Sequence, residues 1–351
     1  MIPLSVLDLS PVTTATSGAV ALRNTLDLAQ LADQLGFTRY WLAEHHNARS
    51  IASSAPDIMI GQVAAVTQHV RVGSGGVMLP NHAPLMVAER FKVLEALFPG
   101  RVDLGIGRAA GTDPVTSNAL RRQDVTEDDF LQRFQELVMF ETREFPEAHP
   151  FHAVHAVPIG VPLPPIWLLG SSGYSADLAA TAGAGFSFAH HFAKYDAATA
   201  MHAYRRKFCP SQWRDRPYAI LAVHVVCAET DAEAERLAAT YDLTYARSSR
   251  GEYLPLASPE EALAYAYALI DRERIQTNRA RMFVGSPATI HSQLLPLVEA
   301  TQADELMVSS MIYDHGARRR SYELMAERFG LTGAARTNSN PPLYQRPYFE
   351  N

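Results

Sequence analysis

The sequence is poor in cysteine and in long apolar runs. Its 351 residues include only two cysteines, Cys209 and Cys227, and they do not form a CxxC motif. We therefore expect neither a disulfide framework nor a cysteine-based zinc site. No apolar run approaches the roughly 18 residues that a membrane-spanning helix needs. Residues 1–4 lack the basic start and the cleavage site of a signal peptide, so we expect a cytoplasmic protein with no membrane partner.

An excess of positive charge is also missing. The formal net charge is −6, so the composition gives no reason to expect nucleic acid as a partner. A short basic cluster, Arg318–Arg320, falls in a predicted helix and is interpreted as a solvated helix face. Hydrophobic residues make up 47% of the chain and charged residues 19%, which is enough apolar material for a large folded core.

Short apolar stretches alternate with longer amphipathic ones along the chain. The apolar stretches predict strands at 4–9, 40–43, 70–77, 101–106, 166–169, 186–189, 219–226 and 305–309. The amphipathic stretches predict helices at 19–35, 56–68, 84–97, 128–143, 172–182, 196–208, 231–247, 287–300 and 317–329. Pro56, Pro84 and Pro287 fall in first helical turns, and Ser286 is a predicted cap.

Strand followed by helix, repeated about eight times, is typical of a parallel sheet with right-handed crossovers. We predict an α/β fold of the (β/α)8 TIM-barrel type, with insertions after strands, forming a single domain over residues 1–330. An open doubly wound sheet is the alternative. It is disfavoured because no GxGxxG motif opens the first unit.

Three segments interrupt this alternation, at 109–127, 145–165 and 248–282. Insertions after barrel strands build the catalytic face, so the first and third are candidate lids. The stretch 248–282 is the stronger candidate because it begins with small and charged residues and continues with Tyr253 and Leu254. Residues 331–351 lack periodicity and are predicted to be a tail or arm.

Four polar or glycine-rich segments directly follow predicted strands, where a barrel places its site. They are Glu44–Asn47, Gly73–Val77, Gly105–Arg108 and Gly170–Tyr174. A histidine in the first can transfer protons near neutral pH, although a hydrogen-bonded core histidine is an equal alternative. A metal site is disfavoured because adjacent residues at a strand end point in opposite directions.

The last two segments together describe a phosphate site. Arg108 offers a planar fork of donors, and the Gly170–Tyr174 turn runs into a helix whose first amides are free. Each has a structural alternative, a salt bridge for Arg108 and a serine cap for the turn. They follow consecutive strands, so they are expected to be neighbours on the barrel face.

At these residues the sequence resembles the bacterial luciferase-like flavin monooxygenase family, in particular its alkanal monooxygenase-like members. The resemblance is collinear from Val6 to Phe329. It is strongest in Trp41–His46, in Gly73–Pro80 with His82 and Pro84, in Gly100–Arg108 and in the Gly170–Tyr174 turn.

The resemblance implies a barrel that binds reduced FMN, usually as a homodimer or larger assembly. Arg108, Gly170, Ser171, Ser172 and Tyr174 would hold the phosphate. Gly75–Gly76 matches the position of a non-prolyl cis peptide beside the flavin ring.

His45 matches the family's catalytic histidine. Its implied role is to assist proton transfer while a flavin hydroperoxide, formed from FMNH2 and O2, attacks a small substrate such as an aldehyde. A separate reductase would supply the flavin, because no nicotinamide motif is visible.

Two positions depart from light-emitting luciferase, which has cysteine where Gly107 stands and glutamate where Gly170 stands. Both departures argue against bioluminescence. Three other functions stay open at this point. They are a deazaflavin-dependent hydride-transfer enzyme of the same superfamily, a flavin-binding protein without turnover, and a metal-dependent barrel hydrolase, for which ligands are lacking.

Overall fold

The computed structural model describes residues 2–121 and 127–333. Its strands are β1 Leu4–Asp8, β2 Arg39–Leu42, β3 Arg71–Ser74, β4 Val77–Met78, β5 Val102–Gly107, β6 Ile166–Gly170, β7 Gly185–Ala189, β8 Ala219–Cys227, β9 Met282–Gly285 and β10 Glu305–Ser309. Its helices are α1 Gly18–Leu35, α2 Pro56–Val66, α3 Pro84–Leu97, α4 Pro114–Arg121, α5 Glu127–Thr142, α6 Gly173–Thr181, α7 Ala197–Lys207, α8 Asp231–Ser248, α9 Pro259–Ala264, α10 Leu269–Arg279, α11 Pro287–Thr301 and α12 His315–Arg328.

Eight of these strands form a closed parallel barrel. The ladder runs β1-β2-β3-β5-β6-β7-β8-β10, and β10 also pairs with β1 and so closes the ring. Pro56, Pro84 and Pro287 each occupy the first turn of a helix, as expected. The predicted single-domain (β/α)8 fold is therefore confirmed. Among the described helices, none combines the length and apolarity that crossing a membrane requires.

The strands bury both of their faces. One face packs against the surrounding helices and forms the larger core. Side chains of opposite parity fill the barrel interior, as the period of two requires. The interior cluster consists of Leu7, Trp41, Ala43, Trp167, Ile220, Ala222 and Met307.

The predicted strand at 70–77 is interrupted. β3 ends at Ser74, a cis peptide bond joins Gly75 to Gly76, and β4 resumes at Val77 and pairs with β5. A Cβ on Gly75 would lie 2.5 Å from Leu7 Cδ1, and one on Gly76 would lie 2.8 Å from the carbonyl oxygen of Gly105. Backbone therefore excludes a side chain at Gly76, whereas one at Gly75 would require the Leu7 side chain to move. The resemblance implies a non-prolyl cis peptide at this position, and the structure has one there.

The strand β9 was not predicted, and it changes the assignment of the helices. β8 continues beyond the barrel, and β9 pairs with this extension from His224 to Cys227. The helix that returns the chain to β10 is α11, which packs between α7 and α12 in the outer ring. The insertion is therefore longer than the predicted 248–282, because α8 belongs to it together with α9, α10 and β9, between the seventh and eighth barrel strands.

Side-chain alternation on β8 shows where α8 lies. Ile220 and Ala222 face the barrel interior, so His224 and Val226 share that face. Tyr241 of α8 stacks on His224 with ring centroids 4.4 Å apart, and Val226 packs against Ala234 and Leu237 of α8. The helix therefore covers the inner face of the β8 extension and forms one wall above the mouth of the barrel.

The segment 248–282, predicted as a lid, contains α9 and α10 within this insertion. Its middle is hydrogen-bonded to the segment after β1. The backbone amide of Leu256 donates to the carbonyl oxygen of Val12, and its carbonyl oxygen accepts from the amide of Thr14, both at 2.9 Å. Arg250 pairs with Asp271 at 2.5 Å, while Tyr253 is exposed. Its role as a lid stays a prediction. Of the predicted tail, residues 334–351 lie outside the described residues.

The interpretation of the basic cluster as a solvated face is wrong for Arg318. Its side chain is buried and pairs with the carboxylate of Asp8, which also accepts from the Tyr40 hydroxyl. Burial alone would raise the pKa of Asp8, but the Arg318 charge and the Tyr40 hydroxyl hold that pKa below its ordinary value. α12 packs against β8 and α1, and Arg318 reaches from this helix to Asp8 at the end of β1.

A second buried charge cluster closes the opposite end of the barrel. Arg39 donates to Asp103 at 2.6 Å and to Glu305 at 3.1 Å, and Arg71 donates to Asp103 at 2.6 Å. All four residues stand at or near the amino ends of their strands. This end of a TIM barrel serves stability rather than chemistry.

Candidate active site

The predicted site residues converge at the carboxyl ends of four neighbouring strands. His45 follows β2, Gly75–Gly76 follows β3, Arg108 follows β5, and the Gly170–Tyr174 turn joins β6 to α6. The pairing order β2-β3-β5-β6 makes them one continuous arc of the barrel mouth.

The imidazole of His45 is half-buried and held at a defined tautomer. Its Nδ1 lies 3.3 Å from the carbonyl oxygen of Gly111, which can only accept, so Nδ1 carries the hydrogen and Nε2 keeps its lone pair. Burial lowers the pKa of His45 below its usual 6.5. The ring is therefore neutral at pH 7 and able to accept a proton at Nε2.

Gly111 belongs to the loop after β5, and its own geometry fixes His45. Its φ is +66°, and a Cβ there would lie 2.8 Å from the carbonyl oxygen of Glu44. Next to it, Thr112 donates its hydroxyl to the carbonyl of His46 at 2.9 Å. This part of the predicted insertion 109–127 therefore supports the loop that carries His45.

Glu44 is the buried acceptor at the centre of the loop after β2. It accepts hydrogen bonds from His46 and His82, each at 2.9 Å, and from the amide of Met78 at 2.9 Å. Burial alone would raise the pKa of Glu44, but these donors hold that pKa below its ordinary value. His46 and His82 thus both donate to the same carboxylate. Within residues 2–121 and 127–333, no group of side chains is suited to hold a metal ion.

The turn after β6 has the chemistry of a phosphate cradle. A Cβ on Gly170 would lie 2.1 Å from the hydroxyl of Ser175, so the backbone here packs too closely for any side chain. Ser172 occupies the N-cap of α6, yet its hydroxyl does not bond to the helix. The Arg108 guanidinium lies 4.7 Å from the centroid of the Tyr174 ring. Hydroxyls, helix amides and a guanidinium are donors that fit a flavin phosphate.

Two histidines of the mouth were not singled out from the sequence. His191 Nδ1 lies 3.2 Å from the carbonyl oxygen of Ala222, and His224 Nδ1 lies 3.2 Å from the Ser309 hydroxyl. Burial lowers the pKa of His191 to about 4 and that of His224 to about 3, so both rings are neutral at pH 7. Both could have been found, because His191 follows a predicted strand and His224 shares the inward parity of Ile220.

Comparison with known proteins places this geometry in a family. Residues 2–309 match the family model described as luciferase-like monooxygenase. A "Luciferase-like monooxygenase" of Escherichia coli (strain K12) is 42% identical, covering 92% of this chain and 96% of the relative. An "N-acetyl-S-alkylcysteine monooxygenase" of Bacillus subtilis (strain 168) is 32% identical, covering 93% and 98%. The crystal structure of apo-MsnO8 superposes with a TM-score of 0.86 at 40% identity, covering 95% of this chain and all of that one.

Proposed function

The chain belongs to the luciferase-like monooxygenase family and is an oxidoreductase, and from that premise we propose that it is an FMNH2-dependent monooxygenase of small organic substrates. The observation that carries the proposal is the arc of the barrel mouth. It combines a neutral histidine, a flat glycine pair and a cradle of phosphate donors within four adjacent strands.

Each part of the arc has a task in this proposal. Arg108, Ser171, Ser172 and the amides after Gly170 hold the flavin phosphate, with Tyr174 stacked on Arg108. The Gly75–Gly76 pair provides a surface without side chains for the flavin ring. When bound, reduced FMN supplies the electrons that activate O2.

His45 accepts a proton at Nε2 while its Nδ1–H stays hydrogen-bonded to the carbonyl oxygen of Gly111. The loops that hold Gly111 and Glu44 keep the ring in this orientation. Proton transfer by a positioned histidine is the contribution that these residues make to the chemistry. The insertion carrying α8 shelters the mouth from water.

Two substrate classes follow for assay. An aldehyde is the first, and the name of the 32%-identical relative adds an N-acetyl-S-alkylcysteine as the second. A separate reductase would supply reduced flavin. We expect the protein, mixed with photoreduced FMN, ¹⁸O₂ and decanal, to form decanoic acid carrying one ¹⁸O atom, as mass spectrometry would show.

The same experiment separates the alternative functions. A deazaflavin-dependent hydride-transfer enzyme would place no ¹⁸O in its product, and a flavin carrier would form no product at all. If reduced deazaflavin supports turnover of either substrate and reduced FMN does not, the proposed cofactor is wrong.

The phosphate cradle predicts a difference between two flavins. Arg108→Ala should weaken FMN binding by roughly 10- to 100-fold, because a charge-assisted contact worth about 1.5–3 kcal/mol is lost. Riboflavin, which lacks the phosphate, should bind the variant about as well as the native protein. Fluorescence titration measures both affinities, and equal losses for both flavins would contradict this placement.

We also propose that the protein is a homodimer. The helices α2 and α3 lie side by side, joined by an ion pair between Arg90 and Asp57 at 3.0 Å. Together they expose an apolar stripe at helical spacing, of a kind that marks a protein interface. The stripe consists of Ile58, Val66, Met86, Val93 and Leu97.

A charge in this stripe should dissociate the dimer. Val93→Glu places a carboxylate where the partner would bury it without a counter-charge, so sedimentation velocity should show the monomer mass. Val115→Glu is the control, because Val115 is 81% exposed on α4, outside the stripe. A native protein that already sediments as a monomer refutes the dimer.

A further inference from the structure

Arg281 stands between the inserted module and the loop after β7. It directly precedes β9, whose first residue is the register partner of His224. Its guanidinium donates to the carbonyl of Ala193 at 3.3 Å, and the residues just before Ala193 include His191. Arg281 therefore lies at the mouth of the barrel, on the side across from His45.

This guanidinium has no counter-ion in the described chain. Its other acceptor is the Asn278 side-chain oxygen at 3.5 Å, and its Nε is buried without a partner. Asp196, the carboxylate of the neighbouring loop, is already used by the backbone and hydroxyl of Thr199. By contrast Arg279, two residues earlier, pairs with both Asp242 and Glu235.

The carboxylate of Asp196 acts electrostatically on His190 but forms no ion pair with Arg281 among the described residues, and the histidines beside Arg281 are neutral. Burial and the Arg281 charge lower the pKa of both His190 and His191, so these rings are neutral at pH 7. The two segments that adjoin Arg281 also carry aromatic residues. Phe192 and Tyr195 are exposed on the same loop, and Phe283 packs against His190. A half-buried cation beside neutral and apolar side chains favours an anion with an apolar body.

We propose that Arg281 binds a carboxylate of the substrate, so that the enzyme acts on apolar organic acids in preference to neutral compounds of the same length. The inference rests on the proposed function, because it assumes that the barrel mouth is where the substrate binds. The reacting end of such a substrate would extend from Arg281 toward His45. The carboxylate would accept from the terminal N–H groups of the half-buried guanidinium, whose acceptors within the protein lie as far as 3.3 and 3.5 Å away.

Octanoate and octanamide test this, since they match in length and differ in charge. In calorimetric titrations of the FMN-loaded protein, octanoate should bind at least about 10-fold more tightly than octanamide. Arg281→Met should weaken octanoate by roughly 10- to 100-fold and leave octanamide unchanged. Arg281→Lys should lose less, since it keeps the charge, and Arg272→Met is the matched control on the exposed side of α10.

Equal affinities for the two probes would overturn the proposal, as would an equal loss of both in Arg281→Met. A loss of FMN affinity in Arg281→Met, with riboflavin unaffected, would assign this arginine to the flavin phosphate instead. Because the titration can be repeated on flavin-free protein, a failure to bind FMN counts against the proposed function and leaves the test of Arg281 intact.

Discussion

Replacing His45 by alanine is expected to slow turnover by about 10²- to 10⁴-fold, the usual contribution of a positioned acid or base. The affinity for FMN should change little, because the phosphate donors lie on other strands. The reason for the rate loss is specific, since the variant removes the Nε2 lone pair that the Gly111 carbonyl orients. Steady-state rates and flavin titrations, made on the same preparations, measure the two effects separately.

His46→Ala is the matched control. Its ring donates to Glu44, which keeps the bonds from His82 and the Met78 amide, so a smaller loss is expected. A larger loss in His46→Ala than in His45→Ala would reverse the assignment of the two rings.

The pH profile gives a second criterion. Because burial lowers the pKa of His45, its neutral form should persist below pH 6.5, and the rate should fall only at lower pH. An acid limb of the profile that survives in His45→Ala belongs to another group.

Asp103→Asn is expected to destabilise the fold by about 3–5 kcal/mol, the usual result of removing one partner of a buried ion pair. Arg39 and Arg71 both donate to this carboxylate, and Arg39 would keep only Glu305. Urea unfolding followed by circular dichroism measures the change. Asp177→Asn, which breaks the exposed pair with Lys207, should cost at most about 1 kcal/mol.

The same carboxylate predicts acid sensitivity. Burial alone would raise the pKa of Asp103, but Arg39 and Arg71 outweigh it and lower that pKa from 3.8 to about 2. A lowered folded-state pKa contributes stability that is complete above the unfolded value and is lost as the pH falls through the folded one. The native protein should therefore lose this contribution between about pH 4 and pH 2. Asp103→Asn should show a shallower loss there, and parallel curves would contradict the assignment.

The barrel could be predicted because its strands are apolar runs and its helices are amphipathic, and both signals are local. The break at Gly75–Gly76 is different, since it depends on the approach of Leu7 and Gly105 from other strands. β9 is equally non-local. Four residues become a strand only because β8 extends past the ring and offers a free edge.

Some residues of the candidate site can likewise be predicted from local sequence, and others only from the fold. His45 and Arg108 follow predicted strands, and barrel geometry alone directs attention to such positions. The pairing of Glu44 with His82 joins two loops 38 residues apart, and no local pattern predicts it. The sequence does not distinguish Arg281 for a further reason. It stands among several arginines of one segment, and only the fold shows which of them have carboxylate partners.

The extension of β8 has a consequence for how such enzymes diversify. The chain leaves the barrel after Cys227 and returns at Gly285, and these two residues are register partners on adjacent strands. The ring itself closes lower down, through pairs from Ile220 to His224 with β10. The residues between these two points therefore form an insertion whose two ends meet at one place, and whose middle is hydrogen-bonded through Leu256 to Val12 and Thr14. Recombination there could exchange the wall above the barrel mouth, and Arg281 with it, while the ring and the proposed phosphate cradle are inherited unchanged.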